Sequence, residues 1–166
     1  MRALATSLAA MALSIGTAHA DESTFLESLE GDWMGSGTVK VRTDSSPIKV
    51  SCVFNSDTTA SSLSLDGRCT GLLIFSRAIG ADLQSDGTRY SGSYVGAGTG
   101  TAALTGSRSG SAINLNIQWA KQVNGDRSAQ LTIEKLGEAA MRLTTTDTDP
   151  KSGKKVMTSR IDLRRS

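Results

Sequence analysis

The chain has 166 residues, with 18 Lys and Arg against 16 Asp and Glu, one histidine and two cysteines. A net charge of +2 gives no general field for nucleic acid or acidic lipid, so nucleic acid is excluded as a partner. The length suits a single domain with its own core.

Residues 1–20 read as a secretory signal. Arg2 precedes an apolar stretch from Ala3 to Gly16, and Ala18-His19-Ala20 forms an A-x-A processing site before Asp21. The apolar run is shorter than the ~20 residues that span a bilayer. The expectation is a periplasmic or secreted protein whose mature domain is 21–166, with no transmembrane segment. Loss of Arg2 takes the net charge from +2 to +1, and loss of His19 removes the only histidine. A mature chain without histidine has no Ser-His-Asp or Cys-His apparatus, no imidazole zinc site and no histidine ligand for haem.

In "DESTFLESLEG", Thr24 and Glu27 have capping-box spacing, Gly31 follows as a stop, and Phe25 and Leu29 lie on one face. This predicts a short amphipathic helix that plugs one end of the β-structure after it.

From Trp33 onward the chain alternates. Val39 and Val41 are set between Thr38, Lys40 and Arg42; Ile113, Leu115, Ile117 and Trp119 between Asn114, Asn116 and Gln118; Leu131 and Ile133 between Gln130, Thr132 and Glu134. Each strand thus has one dry face and one wet face. Turn signals at 44–47, 85–87, 124–126, 136–139 and 149–153 separate them by a few residues. About ten strands are predicted, over 33–42, 47–56, 61–69, 71–79, 81–85, 88–95, 101–107, 111–119, 128–135 with 139–146, and 154–164. The fold class is all-β, a single antiparallel up-and-down barrel of about 8–10 strands.

One hairpin fixes its own register. If 47–56 and 61–69 turn at Ala60 and Ser61, Cys52 falls opposite Cys69 while Ile48, Val50 and Phe54 share a face with Leu63 and Leu65. A Cys52–Cys69 disulfide is expected. The glycine-rich stretch 92–110 fails the G-x-G-x-x-G spacing, since Thr101 stands at the third glycine's place. It predicts a bent strand or barrel corner.

The acids offer no catalytic pair. Asp44, Asp57, Asp86, Asp126, Asp147 and Asp149 fall at turns, and Glu134 and Asp162 on wet faces, where carboxylates keep ordinary pKa values. No enzyme is expected, and no cofactor or metal. An outer-membrane barrel is disfavoured by outward Lys, Arg, Asn, Gln and Thr and only seven aromatic residues after the leader. The basic end of the chain, Lys151, Lys154, Lys155, Arg160, Arg164 and Arg165, reads as a charge-guarded edge strand.

"FLESLEGDWMGSGTVKV" resembles the opening of calycin (lipocalin-like) barrels, where a short helix leads through G-x-W into the first strand. The pattern of Gly31, Trp33, Gly35 and Gly37 looks most like the nitrobindin-like barrels of about ten strands. The end, "VMTSRIDLRR", is similar to a calycin final strand whose arginine packs on the tryptophan, a part that falls to Arg164 or Arg165. The resemblance implies a structural, barrel-closing role for these residues. The family's haem histidine is absent, for Ser159 and Arg160 stand in its region. A fainter resemblance links the chain to bacterial metalloprotease inhibitors with a G-x-W stretch and one disulfide.

Independently of family, inward glycines at 35 and 37 let the first strand coil and leave room for Trp33 or Phe54. The reading is a monomeric barrel binding a small apolar or amphipathic ligand without catalysis. Its candidate lining is Trp33, Phe75, Tyr90, Tyr94, Leu115, Ile117, Trp119 and Met141. The alternatives are an envelope protein-interaction module, such as a periplasmic protease inhibitor, or a stress or surface protein with a filled barrel.

Overall fold

The computed structural model describes residues 17–72 and 75–166, with side chains described from Asp21 onward except that of Phe75. The apolar part of the expected leader lies outside the described residues. A helix, α1 (Thr17–Glu27), precedes ten strands: β1 (Gly31–Val39), β2 (Ile48–Thr58), β3 (Ser62–Gly71), β4 (Phe75–Asp86), β5 (Arg89–Val95), β6 (Ala102–Ser109), β7 (Ala112–Val123), β8 (Asp126–Lys135), β9 (Ala140–Thr148) and β10 (Lys155–Arg165). Each pairs antiparallel with its sequence neighbours and β10 returns to β1, so the meander closes into a barrel.

The alternation in the sequence is the alternation of the wall. Trp33, Phe54, Leu63, Leu65, Leu83, Leu104, Ile113, Leu115, Ile117, Leu131, Ile133, Leu143, Ile161 and Leu163 all point inward and are buried. Cys52 and Cys69 are direct cross-strand partners and are joined by a disulfide, in the register that the apolar pattern requires.

Closure of the β1–β10 seam depends on Gly35 and Gly37. A Cβ on Gly35 would stand 2.0 Å from the carbonyl oxygen of Asp162, and one on Gly37 would stand 1.9 Å from that of Arg160. Only a strand without side chains at these inward rungs approaches β10 closely enough to pair.

The helix closes one end. Leu26 and Leu29 are fully buried against the barrel, and the chain leaves the helix through hydrogen bonds from Ser28 N to Thr24 O (3.1 Å) and Leu29 N to Leu26 O (2.8 Å). Gly31, at φ +118°, turns it into β1. Trp33 then lies across the floor, donating its indole N–H to Leu29 O at 3.0 Å.

Four expectations are corrected. The helix begins at Thr17, so Thr24 sits within it and the Thr24/Glu27 pair does not form its N-terminal cap. The strands expected at 71–79 and 81–85 are one strand, β4, because Gly80 faces outward while Ile79, Ala81 and Leu83 keep the inward phase across it. Strand β10 is no edge, since β1 and β9 flank it; its charges decorate a closed wall. Asp147 is not a solvated turn residue: it occupies an inward rung near the end of β9 and is 3% exposed.

Candidate functional site

The two ends of the barrel differ in what fills them. At the closed end the inward residues are bulky, and polar groups there are consumed in fastening α1. Buried Glu22 accepts hydrogen bonds from Tyr90 Oη and, at 2.7 Å, from Arg108 Nε. Arg108 also pairs with Asp21 and lies 4.7 Å over the Phe25 ring. Burial first, then the Glu22 carboxylate, pushes the Tyr90 phenol well above its ordinary range, so it serves as a neutral donor. Arg165 covers the other side, its guanidinium carbon 4.6 Å from the Trp33 ring centroid.

At the open end the inward rungs carry smaller side chains, Gly37, Val39, Val50, Gly71 and Ser159, and the wall no longer fills its own interior. An apolar cavity of about 410 Å³ opens there, bounded chiefly by Val39, Val41, Ile48, Val50, Cys69, Leu72, Ile79 and Tyr94. Below it, a void of about 30 Å³ lies between Ile79, Tyr94, Leu65, Leu131, Ile161 and Ser159. Ile79, Tyr94 and Ser159 border both spaces. Ser159 is presented there by the register shift between Met157 and Ser159 in β10.

The polar groups of this cavity are few. Ser76, Arg77, Tyr94 and Ser159 supply them, and no acid lines it among the described residues. Burial, partly opposed by the nearby Arg77 charge, raises the Tyr94 phenol to about 12. It is therefore a neutral hydroxyl at physiological pH. Its ring meets Trp119 edge-on, with centroids 5.8 Å apart and planes at 61°. The buried Trp119 indole N–H has no hydrogen-bond partner among the described residues.

The glycine-rich connection between β5 and β6 packs on these groups. Gly96 O accepts a hydrogen bond from Arg77 Nη1 at 3.2 Å. A Cβ on Gly96 would fall 2.3 Å from the Tyr94 hydroxyl, and one on Gly98 would fall 2.6 Å from Arg77 Nη1. The loop is thus a backbone surface laid directly against the guanidinium and the phenol. Within the strands, Gly92 and Gly106 mark close backbone approach: a Cβ there would meet the partner strand's backbone at 1.8 Å and 2.0 Å.

A second, polar pocket of about 440 Å³ lies beside the first, where the loops after β1, β5, β7 and β9 converge. Asn124 organises it: its side-chain oxygen accepts from Thr43 N at 3.2 Å and its amide donates to Asp147 Oδ2 at 2.6 Å. Thr43 in turn donates to Asp149 at 2.9 Å. Burial raises the Asp147 carboxyl above its ordinary value, against the lowering pull of the Asn124 and Thr148 N–H groups. This network holds three mouth loops to the wall.

The sequence candidates distribute between these regions. Tyr94 lines the cavity and Trp119 backs it. Leu115 and Ile117 belong to the packed core of the wall. Trp33, Tyr90 and Met141 lie at the closed end, away from the cavity, with Tyr90 bonded to Glu22 of α1 and Trp33 to Leu29 O just beyond the helix. The side chain of Phe75 lies outside the described residues. Of the closure residues, Gly31, Trp33, Gly35, Gly37 and Arg165 meet in the floor and seam, while Arg164 is exposed. Arg77 was missed by sequence reasoning; the signal was its place in the inward phase of β4 with Ile79, Ala81 and Leu83.

No family model matches the chain, and no curated protein matches it either. Among solved structures it is similar to that of Rv2717c from M. tuberculosis, with a TM-score of 0.65 at 12% identity, over 86% of this chain and 96% of that one. At that identity the likeness is one of fold alone.

Proposed function

We propose that this protein is an exported, calycin-like barrel that binds a small apolar or amphipathic molecule at its open end, without catalysis. The observation that carries the reading is the apolar cavity of about 410 Å³ at the mouth, within the range of small-molecule sites. Its few polar groups at the rim suit orientation of a ligand more than chemistry upon it. Export is supported by the leader-like residues 1–20 and by the Cys52–Cys69 disulfide. The chemistry reads as binding because the only histidine lies in that leader, and the acids near the mouth are engaged with Asn124, Thr43, Ser152, Arg42 and Lys151.

The test is direct. Native mass spectrometry of the protein recovered from its own envelope is expected to show a retained small mass, and the neutral dye phenylnaphthylamine is expected to displace it. A ligand-free protein that also fails to bind the dye contradicts the reading.

A further inference from the structure

Resting on that reading, we infer that the ligand class is an amphiphile with a single anionic head, held by Arg77 at the mouth while its apolar part lies against Val39, Ile48, Val50 and Ile79. The inference starts from charge. Arg77 is the one ionic group lining a mainly apolar cavity, and it forms no ion pair among the described residues; its hydrogen bond goes to a neutral carbonyl, Gly96 O. The acids of the neighbouring mouth loops have other partners: Asp44 pairs with Arg42 and Lys151, and Asp149 accepts from Thr43 and Ser152.

The guanidinium is also positioned. One N–H is fixed by Gly96 O, and the bare backbone at Gly98 leaves the group room that any side chain would take. An arginine held on one side by backbone presents its remaining donors as a fork suited to the oxygens of a carboxylate, sulfonate or phosphate. The Tyr94 hydroxyl borders the same cavity and hydrogen-bonds no described residue. It adds a neutral donor beside the cation. Arg77 itself is exposed at the rim, so the head meets it facing solvent while the apolar part enters the cavity.

Two dyes that differ by one anionic group separate this inference from the reading beneath it. Anilinonaphthalene sulfonate and phenylnaphthylamine share their apolar body, and both are titrated by fluorescence against the wild type, Arg77→Gln, Arg77→Lys and Gly98→Ala. The expected result is that Arg77→Gln weakens the sulfonate about tenfold, the scale of one charge-assisted hydrogen-bonded contact, and leaves the neutral dye within about twofold. Arg77→Lys restores part of the loss, and Gly98→Ala, which crowds the guanidinium and also strains a backbone at φ +76°, weakens the sulfonate more than the neutral dye. Retained binding of the neutral dye shows that each variant is folded at the mouth. Equal changes for both dyes, or no change for either, overturn the inference and leave the binding reading standing. Failure of the wild type to bind either dye overturns both.

Discussion

Arg165 lies over Trp33 with its guanidinium carbon 4.6 Å from the ring centroid, and the same group donates to Ser28 O at 2.8 Å and to Glu30 O. One side chain from the last strand therefore covers the floor of the barrel and caps the helix exit. Trp33→Ala should cost about 3–5 kcal/mol, as for other large buried aromatics. Arg165→Ala should cost about 2 kcal/mol through the lost stacking and charged hydrogen bonds. Denaturant unfolding of both singles and the double variant should show a coupling of about 1 kcal/mol. Strict additivity would mean that the stacked geometry contributes nothing.

Closure of the seam rests on missing side chains. A methyl group at Gly37 would have to share space with Arg160 O, 1.9 Å away, so Gly37→Ala should destabilise by about 3 kcal/mol or more. Hydrogen exchange should show β1 and β10 losing protection ahead of β6 and β7. Uniform loss of protection around the barrel would place the weak point elsewhere.

The disulfide spans a sequence separation of 17 at the mouth end of the β2–β3 hairpin. Replacing both cysteines by serine should cost about 3 kcal/mol on the chain-entropy account, read as a lower unfolding midpoint in denaturant. Cys69 lines the cavity, so the same pair of substitutions should also weaken phenylnaphthylamine binding. Unchanged binding at lower stability would show that the bridge staples the wall without shaping the site.

Asp147 gives a pH signature. Burial raises its carboxyl above the unfolded value, so between those two values the native state holds more protons than the unfolded state. Stability from this group is then lost as pH rises through that window and stays lost above it. Asp147→Asn keeps one oxygen acceptor, for Asn124, gives up the one for Thr148 N and removes the charge. Its melting temperature should exceed the wild type's at neutral pH, and the gain should vanish as pH falls below the ordinary carboxylate range. A pH-independent difference would show that hydrogen bonding, and not buried charge, sets the effect.

Much of the architecture follows from phase alone. The alternation around Ile113 and Leu131 determines which face is dry, and the Cys52/Cys69 register follows from burying Phe54 and Leu63 together. The strand boundary at Gly80 misleads because an outward glycine interrupts nothing that the core depends on. Asp147 and Arg77 share one lesson: both are charged residues in an inward phase, Asp147 in step with Met141 and Leu143, Arg77 in step with Ile79 and Ala81. Phase places both on the inward face; only the closed barrel shows that their rungs lie at its open end, where Asp147 is buried and Arg77 stays exposed at the rim. Tyr90 and Tyr94 look equivalent in sequence, four residues apart on one strand, yet a seven-residue strand carries one to the helix and the other to the mouth. The Glu22 contact that occupies Tyr90 comes from 68 residues away, beyond the reach of any local pattern.

The apolar space inside the barrel lies at its open end, and the proposed binding is placed there. That placement is tested most directly by titrating isotope-labelled protein with phenylnaphthylamine and following backbone amide resonances. Shifts are expected at Val50, Ile79, Tyr94 and Ser159, with Trp33, Tyr90 and Met141 unmoved. Saturable shifts centred on Trp33, Tyr90 and Met141, or no saturable shifts at all, would contradict it.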